Sequence, residues 1–172
     1  MLQLATGEGT AIRNPQFSRL FEAYNGLIFR TAYRLTGSAA DAEDVLQTIF
    51  LRLVRRDSEA VPAQGESYFR RAAVNASLDL IRARKADRSV SLHESAPAPA
   101  TENRDLREEL REAFATLTPR SAEIFVLRFI EGWTNAEIAQ ALGISQVLVA
   151  VTLHRTRRQL QKQIRFHSGG RS

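Results

Sequence analysis

Apolar side chains recur at intervals of three and four along most of the chain, and that spacing restricts it to helices. Phe17, Leu20, Phe21, Tyr24, Leu27, Ile28, Ala32 and Leu35 make one stripe. Val45, Leu46, Ile49, Phe50 and Leu53 make a second, and Leu106, Leu110, Ala113, Phe114 and Leu117 a third. No stretch shows the sustained alternation of a half-buried strand. The expected fold class is all-α.

Punctuation residues divide the helices. Gly37 ends the first, and Ser38 can cap the second, whose early turns carry Asp41, Glu43 and Asp44 where the helix dipole favours acids. A loop, "RDSEAVPAQGE", precedes a third helix from about Glu66 to Arg84. The segment "RSVSLHESAPAPATEN" then loses apolar periodicity and gains Pro, Ser and Ala, which reads as a flexible linker. A second helical block starts near Arg104. Thr118 caps and Pro119 opens a helix to Ile130, and Gly132 stops it. Thr134 starts a short helix ending at Gly143, and Ser145 starts a last one reaching Ile164. The expected architecture is two small helical domains, 1–86 and 104–172, joined by the linker 87–103.

Composition excludes several function classes. With 172 residues and no cysteine, the chain has neither disulfides, thiolate zinc sites nor cysteine catalysis. No apolar run approaches the roughly 20 residues that span a bilayer. "MLQLATGEGT" lacks the basic-then-apolar order of a secretory signal. The cytoplasm is the expected location. His93, His154 and His167 are scattered, and no Gly-rich phosphate loop or nucleophile motif occurs, so an enzyme is not expected, nor a metal or other cofactor.

The net charge of +5 is unevenly spread. Residues 145–172 hold six Lys/Arg and no acid, and 70–85 hold five Lys/Arg and one acid, Asp79. Two basic patches suggest two contacts with a polyanion. In the last block, Ile138 and Leu142 face inward, Ala139 is small, and Gly143 permits a left-handed turn. Ile144, Val149 and Leu153 face back to the core. This is helix-turn-helix spacing, and the "HRTRRQLQK" that follows supplies phosphate-neutralising cations.

Taken together, "YRLTGSAADAEDVLQTIFLRL" with "YFRRAAVNASLDLIRARK" resembles region 2 of the extracytoplasmic-function sigma factors of bacterial RNA polymerase. "LTPRSAEIFVLRFIEGWTNAEIAQALGIS" with "LHRTRRQL" resembles their region 4. The resemblance implies a subunit that directs core polymerase to specific promoters and helps open them. It implies that Asp41, Asp44 and Gln47 dock on the β′ subunit, and that Arg52, Tyr68, Arg71 and Asn75 open and read the −10 element. It further implies that Gln146, Thr152, His154, Arg155 and Arg158 contact the −35 element. Core polymerase, through its β and β′ subunits, promoter DNA and an anti-sigma factor are the implied partners. The alternative is a stand-alone helix-turn-helix regulator that does not bind core polymerase.

The recognition helix departs from the family pattern. Where the family has a sequence close to Gly-Thr-Val-basic-Ser-Arg, this chain has Val147, Leu148, Val149, Ala150, Val151 and Thr152. Three explanations stand: contact with thymine methyls, weak −35 binding with a dominant −10 element, or packing on a protein surface. The last includes an anti-sigma factor, a second copy or the first block of the same chain, and it is preferred, because exposed apolar patches usually mark interfaces.

Overall fold

The structure, a computed structural model, describes residues 15–55, 65–90 and 102–168, with side chains for 17–55, 65–88 and 108–163. Among the described residues there are seven α-helices and no strand. They are α1 (Pro15–Thr36), α2 (Ala39–Arg55), α3 (Gly65–Val90), α4 (Glu102–Thr116), α5 (Pro119–Phe129), α6 (Asn135–Leu142) and α7 (Gln146–Ser168).

The first three helices form one bundle. Ile28 and Ala32 of α1, Val45, Ile49 and Phe50 of α2, and Phe69 and Ala73 of α3 are buried together. Tyr24 stacks on Phe69 with ring centroids 4.4 Å apart, and Phe17 meets Phe50 edge-on at 5.5 Å. Each fully buried large side chain contributes about 1.5–3 kcal/mol of transfer free energy. Gly37 takes φ 65, as a helix end with a left-handed residue requires, and Ser38 Oγ accepts from the Asp41 amide.

The last four helices form the second unit around Phe114, Leu117, Ile124, Val126, Leu127, Ile138, Val149, Leu153 and Leu160. Thr118 caps α5 by accepting from the Ser121 amide, with Pro119 in the first turn. Phe129 of α5 is 47% exposed, and the Arg157 guanidinium lies over its ring at 5.4 Å.

The two cores are not separate. Leu35 of α1 and Val74 and Leu78 of α3 belong to the apolar cluster of the second unit. The chain is clasped, with α3 lying against α4 and α5. α3 also runs six residues past the expected end at Arg84, because "KADRSV" contains neither Gly nor Pro and a helix has no reason to stop there. Residues 87–90 of the expected linker are therefore helical, as are 102 and 103 at its far end. The remainder of that linker, with His93, lies outside the described residues, as do residues 56–64 of the loop before α3, whose last two residues open that helix.

Candidate nucleic-acid interface

The helix pair α6–α7 has the geometry its spacing predicts. Thr134 and Glu137 form a capping box: Thr134 Oγ1 accepts from the Glu137 amide at 3.2 Å, and Glu137 Oε2 accepts from the Thr134 amide at 2.7 Å. The Thr134 amide first, and its hydroxyl second, hold the Glu137 carboxyl below the usual carboxylate range. Gly143 closes α6 at φ 64, and the chain bends by 109° into α7. The Leu148 amide donates to Ser145 Oγ at the start of α7.

Val149, Leu153, Thr156 and Leu160 bury one face of α7. The opposite face carries Leu148, Val151, Arg155, Arg158 and Lys162, all exposed, at spacings of three and four. Gln146 and His154 are exposed beside it, and Thr152 is half-buried. Val147, Leu148 and Val151 do not cover the first block. That form of the preferred explanation for the apolar helix is corrected: the blocks meet through α3, α4 and α5, and the start of α7 faces outward.

Of the second set of candidate residues, Arg71 and Asn75 sit inside the clasp. Tyr68, Arg71 and Asn75 follow one another at three and four along α3 and share a face. Tyr68 is half-buried, its ring edge-on to Phe69 at 5.3 Å. Arg71 Nε donates to Glu123 Oε1 at 2.9 Å, and Asn75 Nδ2 donates to the same oxygen at 3.2 Å. A terminal nitrogen of Arg71 also donates to the Ala141 carbonyl at 2.7 Å. Arg52 lies apart on α2, exposed.

The three candidate docking residues divide. Asp44 and Gln47 are exposed on α2, with Leu51 one turn further on and 55% exposed. Asp41 is buried and ion-paired with Arg84 of α3. A partnerless acid at that depth would carry a large desolvation cost, so Asp41 is held by α3 rather than presented outward.

Two acids that the sequence reading passed over hold the clasp. Glu123 is 5% exposed. Glu131, its side chain fully buried, accepts from Arg70 at 2.6 Å, Arg34 at 3.2 Å and Thr31 at 3.4 Å. Burial opposes the charge of Arg70, but hydrogen bonds to Glu131 and Glu66 outweigh it and raise its pKa. Glu108 of α4 binds Arg88 of α3 and Arg111 of its own helix. Burial works against its charge too, yet those two hydrogen bonds hold its carboxyl below the usual range. The signal for Glu123 was present: it precedes Val126 and Leu127 by three and four residues, inside the buried stripe of α5.

Two helical units, the second a helix-turn-helix with a cationic outer face, define a DNA-binding protein of two domains. The family models agree on which kind. Sigma-70 region 2 matches residues 20–87, and Sigma-70, region 4 matches residues 107–160. The chain is 32% identical over 95% of its length to the ECF RNA polymerase sigma factor SigE of Mycolicibacterium smegmatis, spanning 66% of that protein. It is 31% identical over 87% of its length to the RNA polymerase sigma-E factor of Streptomyces coelicolor, spanning 86% of it. In fold it is similar to the sigma factor RpoE of Bartonella quintana, solved in complex with the anti-sigma factor NepR. That match has a TM-score of 0.51 and 18% identity, and covers 88% of this chain and 98% of that one. The chain belongs to the extracytoplasmic-function sigma factors of the sigma-70 family. Its function is that of the family: directing core RNA polymerase to promoters and helping to open them. Among the described residues, no single helix is long and apolar enough to cross a membrane.

Proposed function

We propose that the chain, acting in the cytoplasm and without covalent chemistry, works through three surfaces divided between domains 1–86 and 104–172. Asp44 and Gln47 dock on core polymerase, with exposed Leu51 adding apolar contact. Arg52, Tyr68, Arg71 and Asn75 capture the opened −10 strand: an aromatic for stacking, an amide for a base edge and arginines for phosphates. Gln146, Thr152, His154, Arg155 and Arg158 engage the −35 element.

The observation that carries this is the shared grip of Arg71 and Asn75 on one Glu123 oxygen. Two donors of different kinds already converge on a single acceptor, as a strand of DNA requires of them. Glu123 takes the place of the nucleic acid in the free chain, so the clasp must open before the −10 strand binds. Docking of α2 on core polymerase and separation of the two domains are then one event. An anti-sigma factor fits the same scheme as a partner that favours the closed chain.

The test is transcription by bacterial core polymerase with and without the full chain, mapping RNA 5′ ends on fragmented genomic DNA. Discrete chain-dependent starts are expected, and Arg71→Ala should abolish them while leaving co-elution with core intact. No such starts and no co-elution would instead mark a stand-alone regulator.

A further inference from the structure

The outward face of α7 changes character along its length. Leu148 and Val151, 50% and 38% exposed, occupy its first two turns, with Val147 beside them at 73%. Arg155, Arg158 and Lys162 continue the same face, all exposed. Residues 145–172 contain no acid, so this apolar patch has a purely cationic neighbourhood on its own helix. The clasp, which engages Arg71 and Asn75 among the −10 candidates, leaves the patch uncovered.

That polarity suits the major groove. When a helix-turn-helix docks, the N-terminal residues of its second helix meet base edges, while cations elsewhere meet the backbone. Seven residues separate Leu148 from Arg155, a rise of about 10 Å. This is comparable to the groove's depth of roughly 8.5 Å, so one end can reach the floor while the other stays near the phosphates. Of the base-edge groups exposed there, only the thymine C5 methyl is apolar. Leucine and valine cannot replace the water lost by a guanine, cytosine or adenine edge, which penalises those bases. A helix without acids and with cations along this face also favours a polyphosphate over a protein with an average surface.

Resting on the assignment of α7 to the −35 element, we propose that it reads that element as a run of thymines. Leu148 and Val151 lie against successive C5 methyls, and Arg155 and Arg158 hold the flanking phosphates.

The test uses holoenzyme assembled from the full chain and core polymerase. Promoter fragments carrying a randomised upstream block are selected for binding. The selected block is then remade with deoxyuridine for thymidine, which deletes only the methyl groups. Selection of a thymine-rich block is expected, with affinity falling about fourfold for each methyl removed from the contact. Leu148→Ala with Val151→Ala should erase the thymidine–deoxyuridine difference at an unchanged melting temperature. Equal affinity for the two blocks, or selection of a block without thymine, overturns the inference. So does a double variant that loses self-association or protein capture while the thymidine–deoxyuridine ratio stays as in the parent. If Arg155→Ala and Arg158→Ala leave the upstream footprint and its salt dependence untouched, the assignment of α7 to the −35 element itself fails.

Discussion

Charged residues of one type do opposite work in this chain, and burial separates them. Asp41 and Asp44 are three residues apart on α2, yet Asp41 is buried against Arg84 and Asp44 is in solvent. Removing Asp41 is expected to cost stability. Asp41→Asn should lower the unfolding free energy by about 1–2 kcal/mol in urea titration, moderated because Arg84 can reach water. Asp44→Arg should change stability by less than about 0.5 kcal/mol and abolish co-elution with core polymerase. If the two variants exchange these phenotypes, the division of roles on α2 is wrong.

Helix ends and helix pairs carry the pH dependence. The carboxyls of Glu137 and Glu108 are both held below their ordinary value. A lowered folded pKa means the stabilisation is complete above the unfolded value of about 4.3. It is lost as pH falls through the folded value. Thermal midpoints should therefore be level from neutral pH down to the unfolded value and drop below it, and Glu108→Gln should flatten part of that acid limb. An unchanged limb would show that the Arg88–Glu108–Arg111 cluster contributes nothing to the joint between α3 and α4. At the start of α6, Thr134→Ala removes one half of the capping box and should cost about 1 kcal/mol.

The molecule as a whole is closed, and the proposed function calls for an open form. Glu123 and Glu131 tie the second unit to α3 and α1 through Arg34, Arg70, Arg71 and Asn75. If only the open fraction binds, apparent affinity is reduced by that fraction. Glu123→Gln with Glu131→Gln should therefore strengthen binding of single-stranded −10 DNA several-fold before core polymerase is added. The cysteine-free sequence allows single labels at the exposed positions Ala23 and Gln161. Spin-label distances should form one narrow population in the parent and a broad one in the double variant. Identical distributions and identical DNA affinities would mean the clasp does not control access to α3.

The sequence by itself determined the helices, the division into two units and the helix-turn-helix, because each is written in local spacing. Periods of three and four, the Thr134–Glu137 pair and Gly143 act within one or two turns. It also placed Arg71 and Asn75 on one face of α3 and cations along α7. Only the tertiary structure decided which acids are presented and which are buried, since Asp41, Asp44, Glu123 and Glu131 are chemically alike in one dimension. It decided, too, that Leu35, Val74 and Leu78 join the second core and that the apolar start of α7 remains outside. The physical reason is that burial is a property of surfaces meeting across long stretches of chain. Local spacing defines a helix face, and the fold decides what that face meets.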